Sequence, residues 1–340
     1  MEIRKLGELC DVTTGNLNKE NENPFGKYDF YVRSVQKLKC DKWTIDYDAI
    51  VIPGEGSFIP QYSTGKVAIH QRVYIIKSKN TNLLKNKYLY YWWLKNSNIL
   101  YKNACGSTVK SLRKNNFLSP SIFLPAIYIQ QQIINIIEPF EKKLNNLIKR
   151  RDNIKKLLVN LYYEFSSNKK LLFKNLIEFN KTKYKNQRNY VDTSNIGYCE
   201  FISSDPIIKL KSRANLSTIK ESFIFSKLDG ENKIFPIWHS YFVNNFVYST
   251  GFYNILVNDK NLSWFVLGYL LSDDFKEQKH KTSSGSVMMG INNESFNSIK
   301  ISESTSSKNF NFMIKLLNFI ELQMIHIKKI IQNLINLYLN

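Results

Sequence analysis

The sequence predicts an α+β fold in which two globular domains are separated by two long antiparallel coiled-coil helices and related by a pseudo-two-fold internal repeat. Three observations predict it: two heptad stretches, weak similarity between the two halves, and short strand and helix patterns in each half. A length of 340 residues suits roughly two domains. A hydrophobic fraction of 43% supplies enough apolar surface for packed cores.

The helices are predicted by apolar residues that recur at alternating steps of four and three. The first series contains Ile133, Ile137, Phe140, Leu144, Leu147, Ile154, Leu158, Leu161 and Phe165, and the second contains Met313, Leu317, Ile320, Met324, Ile327, Ile331, Leu334 and Tyr338. This spacing is typical of coiled coils, although two helices packed on a globular core are the alternative. Arg151 interrupts the first series, and we expect its guanidinium to extend to the surface. A polar residue that sets the register is the other interpretation of Arg151.

The repeat appears as identities at an offset of about 179 residues. They include Tyr90 with Tyr269, Gly106-Ser107 with Gly285-Ser286, Phe117 with Phe296 and Ile122 with Ile301. The order is therefore domain, helix, domain, helix, with predicted ranges 1–127, 128–168, 169–307 and 308–340. The second helix can bury an equivalent seam only by returning along the first, so we expect an antiparallel pair.

Within the domains, β-branched and aromatic runs alternate with helical and Gly-rich stretches. The strand predictions are Ala49–Pro53, Val67–Lys77, Phe223–Phe225 and Phe252–Val257. The helix predictions are Leu84–Leu94 and Leu262–Phe275, and the loop predictions are Asn16–Lys27, Gly54–Gly65 and Asn180–Asn195. Phe117–Ile137 has no charged residue, but prolines and glutamines interrupt it. We interpret this stretch as a buried strand leading into a helix and expect no membrane association.

Composition indicates a polyanionic partner. Lys and Arg number 48 against 28 Asp and Glu, for a formal net charge of +20. Nucleic acid is the favoured partner over an acidic membrane surface. The four cysteines lack CxxC spacing and the four histidines are scattered, so neither a zinc site nor a disulfide framework is expected. The first ten residues lack the apolar block of a signal peptide, and we expect a cytoplasmic protein.

No motif predicts a catalytic site or a cofactor. Gly65-Lys66 lacks the remaining residues of a phosphate-binding P-loop, and Gly54-Glu55-Gly56 is more typical of a turn than of a dinucleotide site. Asn23-Pro24-Phe25 is one proline short of an amino-methyltransferase motif. We therefore expect neither cofactor nor metal. A hidden enzyme remains an alternative because catalytic residues need not be close in sequence.

Candidate DNA contacts are cationic, hydroxyl and amide side chains on loops, because these groups reach phosphates and base edges. For each cluster the alternative is a solvated surface. In the first half the candidates are Arg33, Ser34, Gln61, Tyr62, Lys66, Ser107, Thr108, Lys110, Arg113 and Lys114. In the second half they are Lys209, Lys211, Arg213, His280, Lys281 and Ser284. The segment 106–114, with three cations after a Gly and hydroxyl turn, and its repeat mate 280–286 fit best.

Several motifs resemble those of the specificity subunit of type I restriction-modification enzymes. Lys5–Leu9 reads KLGEL, and Gly106–Leu112 resembles the GSTxxxL segment that closes the target recognition domains of this family. Leu124-Pro125 and Gln130–Ile133 resemble its proline-containing step into a Gln-rich helix start. The second half departs from the pattern, with Gly285-Ser286-Val287 in place of GST and no Leu-Pro step before the last helix.

The resemblance implies a non-catalytic subunit that reads a split, asymmetric sequence in double-stranded DNA. Each target recognition domain would read one half-site, and the helices would dock methyltransferase subunits within a complex that also contains a restriction subunit. The methyltransferase partners would extrude and methylate an adenine. The alternative is a free-standing DNA-binding or architectural protein without an enzyme partner. An enzyme with its own cofactor is a third class, which saturable binding of S-adenosylmethionine or a metal would reveal.

Overall fold

A computed structural model describes residues 2–339 except 209–211, 231 and 286–288. The chain divides into two compact units. Unit 1 contains Met1–Lys143 and Lys328–Asn340, and unit 2 contains Leu144–Ile327. Each unit combines strands with helices, so the predicted α+β class is confirmed.

Unit 1 contains ten strands among its described residues. They are β1 (Glu2–Lys5), β2 (Cys10–Thr14), β3 (Tyr28–Tyr31), β4 (Leu38–Cys40), β5 (Ile45–Asp46), β6 (Ala49–Pro53), β7 (Gln61–Ser63), β8 (Lys66–Ile69), β9 (Val73–Ser78) and β10 (Ser121–Leu124). They form a β1-β10 pair and two four-stranded sheets with the orders β2-β9-β6-β7 and β4-β3-β8-β5. Every residue of β6 is buried, as expected for an apolar strand paired on both sides.

The helices of unit 1 cover the sheet β2-β9-β6-β7. They are α1 (Leu6–Leu9), α2 (Asn86–Lys95), α3 (Ser97–Asn103), α4 (Asn115–Leu118) and the first part of α5 (Ile127–Glu164). Tyr88, Leu89 and Trp93 of α2 are buried in one cluster with Ile50 and Ile76 of the sheet. The uncharged stretch 117–137 contains the end of α4, strand β10 and the start of α5. The strand expected there is present, but it is buried only at Ile122 and Leu124 rather than along its whole length.

Unit 2 repeats this topology with different side chains. Its strands are β11 (Ser166–Leu172), β12 (Ile177–Phe179), β13 (Asn189–Val191), β14 (Asp205–Pro206), β15 (Ala214–Leu216), β16 (Ser222–Ser226), β17 (Ile234–Ile237), β18 (Phe246–Ser249), β19 (Phe252–Val257) and β20 (Lys300–Ser304). They form a β11-β20 pair and sheets with the orders β12-β19-β16-β17 and β14-β13-β18-β15. The internal repeat predicted from the sequence is therefore present in the fold.

The helices of unit 2 are α6 (Ser240–Asn244), α7 (Ser263–Leu271), α8 (Asp273–Thr282), α9 (Asn293–Phe296) and parts of α5 and α10 (Phe312–Tyr338). All nine residues of α7 are buried, as expected for a helix that is apolar on all sides. Gly268 allows α7 to lie directly on α5, because a Cβ there would come within 2.6 Å of the Leu158 carbonyl oxygen.

The two long helices run antiparallel within unit 2. Arg151 of α5 pairs with Glu321 of α10, whereas Leu158, farther along α5, shares a cluster with Met313 and Ile314 near the start of α10. The predicted seam is buried or partly buried at every position except Tyr338, which is 41% exposed. Ile335 and Leu339 are buried in its place.

The prediction that Arg151 extends to the surface is wrong. Its side chain is only 7% exposed, and its Nη1 lies 3.3 Å from Glu321 Oε1 and 3.4 Å from Glu200 Oε2. A buried carboxylate on the opposing helix thus holds the guanidinium inside the unit. The alternative interpretation, a polar residue that sets the register, stays a prediction.

Several element boundaries also differ from the predictions. The strand predicted over Val67–Lys77 is two strands, β8 and β9, because the chain turns at 70–72. The helix predicted over Leu262–Phe275 ends at Leu271, because the Ser272 side chain accepts a hydrogen bond from the Phe275 N–H and starts a new helix. The predicted loops 54–65 and 180–195 contain the short strands β7 and β13.

Candidate nucleic-acid interface

The segment 106–114 forms an exposed loop closed at its base by two hydrogen bonds. The Cys105 N–H donates to the Ser111 carbonyl at 3.0 Å, and the Ser111 N–H donates to the Cys105 carbonyl at 2.8 Å. Gly106 has a φ of +126°, and a Cβ there would come within 2.2 Å of the Val109 carbonyl oxygen. Only glycine therefore fits this turn. The candidates Ser107, Thr108, Lys110, Arg113 and Lys114 are all exposed, as a role in binding DNA requires.

The base of this loop is fixed to the end of β6. The Leu112 N–H donates to the Gly54 carbonyl at 2.8 Å, and the Tyr74 hydroxyl donates to the Leu112 carbonyl at 3.0 Å. Glu55 and Ser111 also form an isolated antiparallel bridge. The loop therefore presents its hydroxyls and cations from a rigid base beside the turn that begins at Gly54.

Glu55, in that turn, joins two arginines. Its Oε2 lies 3.3 Å from Arg33 Nη1, and its Oε1 accepts from Arg72 Nη1. The Arg33 and Arg72 side chains are 53% and 57% exposed, whereas Glu55 is 17% exposed. Burial alone would raise the pKa of Glu55, but the hydrogen bonds and positive charges of Arg72 and Arg33 hold it below its usual value. A charged carboxylate thus aligns two exposed guanidinium groups.

His70 holds the backbone of Arg72 in the same cluster. Its ring is buried, and its Nδ1 accepts a hydrogen bond from the Arg72 backbone N–H at 3.0 Å. Burial, together with the positive charges of Arg33 and Arg72, lowers the pKa of His70. A neutral ring keeps Nδ1 available as an acceptor, so His70 fixes the backbone that carries Arg72.

The other candidates in unit 1 have separate partners. The Ser34 hydroxyl donates to the Gln36 carbonyl, and Lys66 lies over the Trp43 ring at 5.2 Å. Gln61 is partly buried on β7, while the Tyr62 hydroxyl donates to Asp48 Oδ2 at 3.2 Å. Of the sequence candidates, the structure therefore joins Arg33 to the loop 106–114 through Glu55. It adds Arg72, which the sequence analysis did not identify.

Unit 2 builds an equivalent loop from different residues. Ser284 and Gly290 exchange two hydrogen bonds of 3.0 and 3.1 Å, and Gly285 has a φ of +134°. The Ile291 N–H donates to the Lys227 carbonyl at 2.9 Å, as the Leu112 N–H does to Gly54 in unit 1. Ser284 is exposed. Ser286 and Val287, which complete the motif in the sequence, lie outside the described residues.

His280, which precedes the loop of unit 2, is hydrogen-bonded to an acid. His280 Nδ1 lies 2.6 Å from Asp229 Oδ2, and the Asp229 N–H donates to the Met289 carbonyl at 2.9 Å. Burial alone would raise the pKa of Asp229, but the hydrogen bonds from His280 and the Gly230 N–H hold it below its usual value. Lys281 lies 3.6 Å from Glu277 at the surface.

Unit 2 also has a basic pocket of about 450 Å³, and one of its lining residues, Lys227, accepts at its carbonyl from the Ile291 N–H after this loop. Its cations are Lys181, Lys183 and Lys227. The remaining lining is Phe179, Asn180, Asn215, Leu216, Thr250, Phe252, Tyr253, Asn254, Asn293 and Asn297. Arg213 is exposed. It lies beside the pocket, because its carbonyl accepts from the N–H groups of the lining residues Asn215 and Thr250. Lys209 and Lys211, the other candidates of this segment, lie outside the described residues. The pocket was not predicted from the sequence, because Lys227 lies far along the chain from Lys181 and Lys183.

Within the described part of the chain, no group of three or more His, Cys, Asp and Glu side chains is placed to hold a metal ion. No described helix is long and apolar enough to cross a membrane.

A family model and a known relative match the N-terminal part of the sequence, and a solved structure matches the fold of both units. Residues 1–156 match the family model of the type I restriction modification DNA specificity domain. The type I restriction enzyme EcoDI specificity subunit of Escherichia coli is 30% identical over 156 residues, which are 45% of this chain and 34% of that protein. The match thus spans about a third of the length of this relative.

Solved structures extend the similarity to both units. The crystal structure of a type I restriction-modification system S subunit from M. genitalium aligns with 99% of this chain and 93% of its own, with a TM-score of 0.54 and 18% identity. This similarity supports the two-unit fold. The HsdS subunit from Thermoanaerobacter tengcongensis aligns over 99% and 96% of the two chains at 10% identity, with a TM-score of 0.33.

Proposed function

We propose that this chain is the sequence-reading subunit of a type I restriction-modification complex, because residues 1–156 match the family model of the type I restriction modification DNA specificity domain. It binds double-stranded DNA through both units, and each unit reads one half of a split, asymmetric site. The chain supplies recognition, while methyltransferase and restriction subunits supply the chemistry.

The observation that carries this proposal is the exposed loop 106–114 on its rigid base. Lys110, Arg113 and Lys114 are solvent-exposed on this loop, where they can reach phosphates. Arg33 and Arg72 lie beside the same base through Glu55. Unit 2 repeats the loop with His280 and a basic pocket beside it. Two similar readers with different side chains suit a site with two different halves.

Salt titration of DNA binding tests the first part of the proposal. Binding to duplex DNA should weaken steeply between about 50 and 200 mM salt, because each phosphate contact releases condensed counterions. The full chain would be titrated with random-sequence duplexes by fluorescence anisotropy. An affinity independent of salt would exclude DNA as the partner.

Domain exchange tests the reading of two half-sites. Replacing residues 171–307 with the matching domain of a relative should change one half of the selected sequence and leave the other half intact. The readout is methylome mapping in cells that carry either version. A change in both halves would contradict independent readers. Isolation of the native chain without a methyltransferase subunit would favour a free-standing DNA-binding protein instead.

A further inference from the structure

The two units place their cations differently on the same backbone frame. In unit 1 the Gly54 N–H donates to the Arg72 carbonyl at 2.9 Å, and in unit 2 the Lys227 N–H donates to the Gly251 carbonyl at 2.9 Å. Gly54 thus corresponds to Lys227, and Arg72 to Gly251. The cation in unit 1 comes from the turn before β9, and the cation in unit 2 comes from the end of β16. The two units therefore present different chemistry at equivalent places.

The arginines of unit 1 are held in a fixed orientation. Both carboxylate oxygens of Glu55 are used, one by Arg33 and one by Arg72. The Glu55 backbone is bridged to Ser111, and the Arg72 N–H donates to buried His70. More than half of each arginine side chain remains exposed. An oriented, exposed guanidinium fork can donate two parallel hydrogen bonds to one planar ligand.

The carboxylate between the arginines decides which part of DNA they suit. A phosphate placed here would meet the negative charge of Glu55, and the repulsion would offset part of its attraction to the arginines. The N7 and O6 atoms of guanine are neutral acceptors, and an arginine fork matches them bidentately in the major groove. The exposed cations of the loop 106–114 have no such carboxylate in their described contacts, so they suit phosphates.

We propose that Arg33 and Arg72 read guanine in the half-site of unit 1, and that Glu55 is the residue that positions them. This inference rests on the proposed function, since it names the base that unit 1 recognises. By contrast, Lys227 donates its Nζ to the Thr250 carbonyl at 2.8 Å and lies 4.7 Å from the Tyr253 ring centre. It serves as the matched control in unit 2.

The test is selection of bound duplexes from a random-sequence pool by the full chain, isolated from its native cells with its bound partner subunits. The half-site left unchanged by exchange of residues 171–307 belongs to unit 1 and should contain guanine. Arg72→Lys, Arg33→Lys and Glu55→Gln should each lower the preference for a guanine there by about five- to 150-fold, the range for losing one bidentate pair. Lys227→Ala should leave that half-site unchanged.

Three outcomes separate the inference from the proposed function. If the parent selects no sequence, both fail. If it selects a split site whose unit 1 half lacks guanine, only the inference fails. If the arginine variants weaken binding to all sequences equally, the arginines contact phosphate and the inference is also overturned. Glu55→Gln preserves the shape of the side chain, so it tests the positioning role even where an arginine variant unfolds, and circular dichroism would check folding.

Discussion

The guanidinium of Arg151 and the carboxylate of Glu321 form an ion pair inside unit 2, with Nη1 and Oε1 3.3 Å apart. Their side chains are 7% and 2% exposed. The other carboxylate oxygen of Glu321 accepts from the Phe201 N–H at 3.0 Å. One residue pair thus joins α5, α10 and the segment that follows β13.

Removing Arg151 should strongly destabilise unit 2. The Arg151→Met variant leaves Glu321 buried without its main counter-charge, and the expected loss is about 3–5 kcal/mol of unfolding free energy. The double variant Arg151→Met with Glu321→Gln should be more stable than Arg151→Met, because an amide carries no charge and its oxygen can still accept from Phe201. Urea unfolding of the three proteins measures both differences.

A surface pair provides the control for this experiment. Lys142 and Glu138 lie 2.8 Å apart on α5, and the lysine side chain is 70% exposed. The Lys142→Met variant should change the unfolding free energy by no more than about 1 kcal/mol. Equal losses at Arg151 and Lys142 would show that burial of the pair has no energetic consequence.

Gly106→Ala should distort the loop 106–114. The positive φ and the contact with the Val109 carbonyl would cost about 1–3 kcal/mol of local strain. The exposed loop can rearrange to relieve this strain, so the melting temperature should change little. The displaced loop should then weaken DNA binding at least about five-fold. Gly65→Ala is the control: Gly65 also has a positive φ, but no atom lies within 4 Å of its added Cβ. Equal effects of the two variants on DNA affinity would assign no special role to the loop.

The combined variant Lys110→Ala, Arg113→Ala and Lys114→Ala should weaken binding to all sequences about equally. These side chains are exposed, so folding should be preserved. Each lost phosphate contact should reduce the slope of log affinity against log salt by about 0.9. Alanine at Lys143, Lys149 and Lys156 removes the same charge from exposed positions of α5 and controls for net charge. A changed base preference with unchanged affinity would contradict the phosphate role.

Acidification should destabilise unit 1 through His70. Its pKa is lower in the folded chain than in the unfolded chain, so the unfolded chain binds the proton more tightly. The contribution of His70 to stability is complete above the unfolded pKa of about 6.5 and is lost as the pH falls through the folded pKa. The unfolding free energy of His70→Gln should therefore depend less on pH below about 6.5 than that of the parent. The exposed His326→Gln variant controls for loss of a histidine, and identical pH profiles for parent and His70→Gln would contradict the assignment.

The sequence alone was sufficient to predict the two long helices and the repeat. Both depend on regular spacing: the seam places one apolar residue on the same helix face at each step, and the second series lies 180 residues after the first. The exposed loop was also predictable, since Gly106 is followed by hydroxyls and cations within nine residues. Such patterns are local, and local geometry follows from them directly.

Spacing did not predict which distant residues meet. Arg33, Glu55 and Arg72 come from three separate segments, and only the pairing of β3, β6, β8 and β9 brings them together. Arg151 occupies a seam position in sequence, and its burial depends on Glu321, which is 170 residues away. The apolar periodicity determined the helices and the two-unit plan of this protein. Tertiary structure decided the charged clusters, because the energy of a charge depends on its partners and its exposure rather than on its neighbours along the chain.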